Sequence, residues 1–412
     1  MTELIDRPKE LARLRRWRDK DVVKVITGVR RCGKSTLLAQ FACELREDDV
    51  PAERIVVLNM EDFSLAHLLG SARAFHDHVA ALLAPQGRSY LFVDEIQLVD
   101  SFELALNSLA LAFDVDIYVT GSNAQMLSSD LATRLSGRYV EIHLLPFSYT
   151  EFAQGREMRG QEGEDRSYPG LYASFVRWGG FPFVQELLPD TDSATDYLEG
   201  LVNTVLVKDV AIRQRVANMA LLRDVTAYLL HNVGNLTSLK RISDSLTSLG
   251  RKPSPNTVDG YLAGLVDAFL LYPVRRWDTK GLRFLAGPAK YYAVDTGLRS
   301  VLVGYTGDDA GHLLENIVFL ELRRSFTDIR TGATATGEVD FVTVRGADVT
   351  YYQVAQSVRS QETLERELRP LESIKDNYPK VLLTLDAEPV ISHGGINQVY
   401  VLDWLRGAAR SD

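Results

Sequence analysis

Residues 28 to 36, G-V-R-R-C-G-K-S-T, set two glycines, a lysine and a hydroxyl at the spacing G-x-x-x-x-G-K-[ST]. Residue types in that order can hold a polyphosphate. Gly28 and Gly33 let the backbone turn back over an anion so that successive N–H groups point inward. Lys34 then faces the β- and γ-phosphates, Ser35 offers its hydroxyl to Mg²⁺, and a helix from Thr36 aims the positive end of its dipole at the same anion. Arg30, Arg31 and Cys32 lie inside the loop and complete the expected nucleotide contacts, with ATP and Mg²⁺ as the ligands.

Three further clusters could complete the chemistry. Residues 89 to 95, S-Y-L-F-V-D-E, are an apolar run ending in two acids: Asp94 would share the Mg²⁺ shell with Ser35, and Glu95 would polarise the attacking water. Residues 120 to 123, T-G-S-N, follow another apolar run, where Asn123 or Ser122 could touch the γ-phosphate or the water. Ser122 would serve equally as the N-cap of a helix over 125 to 131. Beyond it Arg138, and after it Arg134, are candidates for an arginine that stabilises transition-state charge; both would also be ordinary surface residues.

These groups need a scaffold that brings strand ends to one edge. Short apolar runs at 22–27, 54–60, 89–95, 115–119 and 140–144 read as buried parallel strands, with helices over 36–45 and 66–83 between them. Residues 7 to 20 read as an amphipathic, arginine-rich helix leading into the first strand. Residues 153 to 170 are polar and glycine-containing, and read as a surface loop out of this region.

Composition narrows the class. The chain has 412 residues, 46% hydrophobic and 25% charged, enough for two to three soluble folded domains. A net charge of −9 argues against a generally basic nucleic-acid coat, so DNA contact would come from local patches. Two cysteines, Cys32 and Cys43, cannot build a disulfide framework or a zinc site, and a cytoplasmic setting is expected, with Cys32 as the redox-sensitive spot. Neither a signal peptide nor a membrane span is expected. His76 and His78 read as a solvated helix face rather than a metal site.

Past residue 171 helices dominate. Helices over 221–230, 239–249 and 256–271, then strands near 272–277 and 290–294, give a winged-helix layout. Its third helix carries no Arg or Lys and is a poor surface for phosphates. The wing is basic: Arg275, Arg276, Lys280, Arg283 and Lys290 against one acid, Asp278, a pattern that could track a DNA backbone. Packing against another surface is the alternative. From 312 the order is helix, three strands, helix, strand, which is the core of the PD-(D/E)xK nuclease fold. Its metal-site positions would fall on Glu315, Asp340, Gln353 and Ala355; only the first two hold the right chemistry, although Glu338 shares a strand face with Asp340.

The motifs G-V-R-R-C-G-K-S-T-L-L, F-V-D-E-I-Q, T-G-S-N, S-G-R-Y and L-P-F-S-Y-T-E-F, then W-G-G-F-P, V-K-D, L-L-E-N and G-E-V-D-F, closely resemble the prokaryotic AAA-type ATPases with a C-terminal domain of uncharacterised function. The resemblance spans nearly the whole chain. It implies an α/β fold: a parallel-sheet, AAA-like P-loop core of strand order 5-1-4-3-2, a helical and winged-helix region, and a restriction-endonuclease-like end domain. The corresponding domains are 1–152, 171–300 and 311–412. The expected function is a cytoplasmic Mg²⁺-dependent ATPase that turns ATP binding and hydrolysis into conformational change, acting on DNA through the wing. The alternative is an ATP-dependent switch or scaffold for a protein partner. Homo-oligomerisation is expected, so that Arg138 can reach a neighbour's γ-phosphate, and an ATP-regulated nuclease is disfavoured.

Overall fold

The computed structural model describes residues 4–124, 137–159, 165–281, 283–306 and 309–407. The chain divides into two compact units, one of residues 1–145 with 267–269 and one of 146–266 with 270–412.

The first unit is a five-stranded parallel sheet flanked by helices. Helix α1 (Pro8–Trp17) precedes strand β1 (Val23–Thr27), followed by α2 (Lys34–Glu47), β2 (Ile55–Asn59), α3 (Ala72–Leu82), β3 (Ser89–Asp94), α4 (Phe102–Ala112), β4 (Val115–Gly121) and β5 (Tyr139–His143). The spatial order β2-β3-β4-β1-β5 is the one expected from the sequence. Strands β1, β3 and β4 are buried almost end to end, as strands covered on both faces must be. The helix expected over 66–83 is shorter: Phe63–Leu68 forms a tight 3₁₀ turn, and α3 starts only after Ser71, whose hydroxyl caps the Ala74 amide at 3.2 Å. A buried ion pair lies within the sheet. Lys24 contacts Asp116, which also accepts from the Asp19 amide and the Tyr118 hydroxyl, each at 2.8 Å.

The second unit opens with α5 (Tyr149–Arg159), where a loop was expected from residue 153. The polar composition there was misleading because Arg156 points inward, fully buried, and donates to the carbonyls of Gln185 (3.1 Å) and Leu188 (3.4 Å). There follow α6 (Tyr168–Trp178), α7 (Thr191–Thr204), a π-helical stretch Val205–Ala211, α8 (Met219–His231), α9 (Leu239–Ser248) and α10 (Pro255–Asp267). Strand β6 (Leu271–Val274) pairs antiparallel with β9 (Lys290–Ala293), and Thr237, between α8 and α9, bridges to Ala289.

The strand expected at 272–277 breaks at Arg275. Its second half, β7 (Arg276–Asp278), forms a hairpin with β8 (Arg283–Phe284) and joins residues 331–333 in a different sheet. After α11 (Thr296–Val303), that sheet is built from α12 (Ala310–Ser325), β10 (Asp328–Ala333), β11 (Glu338–Arg345), β12 (Asp348–Ala355), α13 (Gln361–Glu372) and β13 (Lys380–Thr384). This is the helix–three strands–helix–strand order read from the sequence. Strands β14 (Ile391–His393) and β15 (Ile396–Tyr400) and helix α14 (Val401–Leu405) lie beyond it and were not anticipated; the sheet order is β14-β15-β13-β12-β11-β10-β7-β8.

Candidate functional site

Because β1, β3 and β4 are parallel and adjacent, their C-terminal ends deliver residues 28–35, 94–95 and 122–123 to one edge of the first sheet. The loop between β1 and α2 is built for close backbone approach. A Cβ on Gly28 would stand 2.2 Å from the Leu144 carbonyl oxygen and 3.0 Å from the Cys32 sulfur, so only glycine fits. Gly33, at φ 102°, and Arg31, at φ 68°, take left-handed conformations that turn the loop before α2.

Lys34 is 4% exposed, and its ammonium donates to the carbonyls of Gly28 (3.0 Å) and Val29 (3.1 Å), curling back along the loop. Ser35 donates to Asp94 Oδ2 at 2.6 Å. Thr120 ties the second strand end together: its hydroxyl donates to Asp94 Oδ1 at 2.5 Å and accepts from the Glu95 amide at 2.9 Å. Glu95 itself is buried at φ 54°, and its carboxylate accepts from Ser122 Oγ at 2.7 Å and from the Gln97 amide. Burial pushes the Glu95 carboxyl up, but Lys34, the Ser122 hydroxyl, Arg30 and Gln97 outweigh it and hold the pKa below the ordinary carboxylate value.

The remaining sequence candidates divide. Thr36 is exposed at the start of α2, and Arg30 pairs with Glu61 at 3.2 Å. Asn123 is buried beside Ser122 at the end of β4. Cys32 turns its thiol inward to the Leu144 carbonyl at 3.4 Å, and burial raises its pKa, which removes it as a redox-sensitive spot; Cys43 is the exposed cysteine. Arg138 is exposed at the start of β5, where its carbonyl accepts from the Val23 amide at 2.9 Å. That is the opposite edge of the sheet, a full strand length or roughly 15 Å from the loop, so Arg138 does not join Lys34 and Glu95 within one chain. Arg134 and the helix expected over 125–131 lie outside the described residues.

The sequence reading missed three supporting residues. Arg7, buried before α1, donates to the carbonyls of Cys32 (3.2 Å) and Leu145 (2.9 Å), pinning the loop from behind. Thr120 and Gln97 complete the support of the two acids. Thr120 stood in the quoted T-G-S-N and could have been found from its place at a strand end. Nothing in the sequence marks Arg7 apart from its arginine neighbours.

The donor set fits the ligands the motif implies. Ser35 and Asp94 offer hard oxygens from adjacent elements, already within hydrogen-bond distance of each other, and the glycine cradle leaves no room for a side chain.

A profile described as AAA domain matches residues 20–153, and one described as a domain of unknown function (DUF8612) matches residues 170–309. An uncharacterised protein of Haemophilus influenzae is 36% identical over 403 residues, 98% of each chain. The chain belongs to this family of AAA-type P-loop ATPases. A second uncharacterised relative, from Methanocaldococcus jannaschii, is 27% identical over 365 residues, 86% of this chain and 79% of its own. Among solved structures, a Walker-type ATPase of Pyrococcus abyssi matches with a TM-score of 0.50 at 17% identity, over 73% of this chain and 96% of that one, a likeness of fold.

In the second unit of the AAA-type ATPase, the expected metal-site positions do come together, around a cation the sequence reading had placed elsewhere. Lys290, assigned to a basic wing, is buried, and its ammonium meets Glu315 Oε1 (2.9 Å), Glu338 Oε1 (2.8 Å) and Asp340 Oδ1 (3.3 Å). The Tyr292 hydroxyl donates to Glu315 Oε1 at 2.6 Å, and Asp340 Oδ2 accepts from the Val354 amide at 3.0 Å. Burial first, then Glu315, pushes the Asp340 carboxyl up to about 7 against the pull of Lys290. Gln353 accepts from the Asp340 amide at 3.3 Å and donates to Glu367 at 2.9 Å, while Ala355 lines an open groove of about 790 Å³ with His312, Glu315, Arg359 and Glu367. Among the described residues no group of three or more His, Cys, Asp or Glu is placed to hold a metal ion.

Of the remaining wing candidates, Arg275, Lys280 and Arg283 are exposed, and Arg276 is half-buried near Glu338 at 3.9 Å. Arg276 and Arg283 lie on the β7–β8 hairpin at the edge of the end sheet, not on the β6–β9 pair. Among the described residues no helix is long and apolar enough to cross a membrane.

Proposed function

We propose that this chain is a Mg²⁺-dependent ATP hydrolase whose nucleotide state drives a conformational change. The observation that carries the reading is the convergence of Lys34, Ser35, Asp94 and Glu95 on one sheet edge, with Glu95 kept anionic and aimed by Ser122 and Gln97. Lys34 exchanges its two carbonyl partners for phosphate oxygens, and the amides at the start of α2 face the same anion. Ser35 and Asp94 hold Mg²⁺, which when bound supplies positive charge to the phosphate oxygens. Glu95 keeps acceptor capacity for a water, orients it and takes its proton; Asn123 is its neighbour at the strand end. Arg30, Arg31, Cys32 and Thr36 contribute backbone or surface contacts around the nucleotide, and Arg138 serves a neighbouring copy in a homo-oligomer. Lys34→Ala should abolish tight ATP binding. Retained binding in that variant would remove the phosphate assignment.

Action on DNA rests on the exposed Arg275, Lys280 and Arg283, and Arg276 beside them, close to the exposed ring of Phe284. The rival reading, a nucleotide-dependent switch for a protein partner, is favoured by the sequestering of Lys290 and by the absence of Arg and Lys from α10. ATP turnover with and without single-stranded, duplex and branched DNA separates them: stimulation supports the first reading, indifference the second. We assign the segments 1–152, 171–300 and 311–412 to an ATPase, a winged-helix and a nuclease-like region. The last is read as non-cleaving, because Gln353 and Ala355 supply neither the third carboxylate nor the lysine that such a site uses. Mg²⁺- or Mn²⁺-dependent cutting of DNA that Asp340→Ala abolishes would overturn this. An exposed, unpaired Cys43 fits a cytoplasmic setting.

A further inference from the structure

Strand β9, K-Y-Y-A, alternates its faces so that Lys290 and Tyr292 point the same way, both buried. They meet a carboxylate from α12 and two from β11, and the ammonium lies at ordinary hydrogen-bond distance, 2.8 to 3.3 Å, from all three. Two of the acids, Glu315 and Asp340, stand where the nuclease-like topology would turn ligands toward a divalent ion, and Glu338 shares the strand face of Asp340. In their midst stands a tethered monovalent cation on a strand outside the αβββαβ core. The ammonium donates to Glu315 and Asp340 and ion-pairs with Glu338, so its charge is answered by all three acids. A second cation among the same oxygens would face the ammonium at close range in a buried setting, where like charges repel strongly.

We infer that Lys290 is the resident cation of this cluster, occupying the place of the divalent ion and closing the site to metals. The inference rests on the nuclease-like reading of the end region and gives it a second, independent reason for inactivity. Missing a third carboxylate and a lysine at 353 and 355 weakens a metal site, whereas an internal ammonium fills it. The pairing also accounts for a buried Asp340 beside the partly buried Glu315 and Glu338: Lys290 is held protonated, since its phenol and carboxylate neighbours outweigh the burial that would otherwise strip its proton.

The test is Mn²⁺ binding to the full chain without nucleotide, counted by electron paramagnetic resonance of the free ion. The unaltered chain and Asp340→Asn should bind alike, because the cluster takes no metal in either. Lys290→Met should gain one Mn²⁺ site, at least about tenfold tighter than any background site, and Lys290→Met with Asp340→Asn should lose it again. Lys290→Arg, which keeps the cation, should behave as the parent. A cooperative denaturant melt with the parent's far-ultraviolet circular dichroism serves as the folding control for each variant. A folded Lys290→Met chain that takes up no additional Mn²⁺ overturns the inference. So does an unaltered chain whose Mn²⁺ binding falls on Asp340→Asn, and this comparison stands even if Lys290→Met fails to fold. DNA cutting by the unaltered chain would instead sink the non-cleaving reading, so the two failures are told apart by different readouts.

Discussion

Replacing Glu95 by glutamine alters one atom and one charge in a site whose other groups stay in place. Two donors now serve the carboxylate, Ser122 Oγ at 2.7 Å and the Gln97 amide. The new amide would set its NH₂ against one of them. Gln97 Oε1 is buried with no hydrogen-bond partner, so a flip of the Gln97 amide presents an acceptor to that NH₂, and the Ser122 hydroxyl can rotate. The cost to stability should therefore stay within about 1 kcal/mol. ATP binding should hold or tighten slightly, since a negative charge near the triphosphate is removed. Turnover should fall by roughly 10²- to 10⁴-fold, the range for loss of a positioned proton acceptor. Steady-state phosphate release beside equilibrium binding of a fluorescent ATP analogue reads both quantities. Hydrolysis at the parent rate, with binding unchanged, would refute the role given to Glu95. A pH profile adds a check of sign. Because the Glu95 pKa is held below the ordinary carboxylate value, the group stays charged as pH falls from about 8 to 5, and no loss of rate in that window should trace to it.

Mixing Arg138→Ala with Glu95→Gln chains should restore part of the ATPase activity if Arg138 reaches a neighbour's nucleotide, because one mixed interface keeps both groups; no rescue, with rate independent of protein concentration, ends the trans role. Lys24→Ala should cost about 3–5 kcal/mol by denaturant melting, since it leaves the buried Asp116 with only the Asp19 amide and the Tyr118 hydroxyl, and Lys24→Met with Asp116→Asn should recover part of it. A cost under about 1 kcal/mol would mean that water reaches Asp116 after all. Asp295 accepts from the amides of Gly180, Gly297 and Leu298, yet burial pushes its pKa up to about 6. A raised folded pKa contributes stability that is full below the ordinary carboxyl range and is lost as pH rises through about 6, up to roughly 3 kcal/mol. The parent should lose more stability than Asp295→Asn between pH 4 and 7, and parallel pH curves would exclude the effect.

The candidate site was legible because its chemistry is local. Gly28, Gly33, Lys34 and Ser35 sit within eight consecutive residues, and the two acids close an apolar run whose burial and direction are fixed by period and composition. The five strands followed from the same signals, and their order from the family resemblance. Reading failed where a polar residue is used inward. Arg156 made a helix look like a loop, Lys290 looked like part of a basic wing, and Arg7 was not set apart within an arginine-rich helix. Each is buried against carbonyls or carboxylates supplied by segments 25 to 138 residues distant in sequence. Composition counts such a residue as surface, and only the tertiary partners reverse the assignment. The split of the expected strand at Arg275 has a similar origin, since β7 finds its partner in β10, more than fifty residues further on.

Two buried lysines, Lys34 and Lys290, have been put to opposite uses by the partners the fold gives them. Lys34 donates to two backbone carbonyls, neutral acceptors whose loss costs little when an anion arrives with several charges to offer. Its ammonium is therefore held in place but exchangeable, which is the condition for a ligand-binding lysine in a pre-formed loop. Lys290 donates to two carboxylates and ion-pairs with a third, and has no comparable exchange available, because an incoming anion would have to displace all three and leave the buried Asp340 and its partly buried neighbours without a counter-charge. The same side chain at similar exposure thus reads as a binding group in one unit and as a fixed structural charge in the other. The distinction lies in the charge of the acceptors.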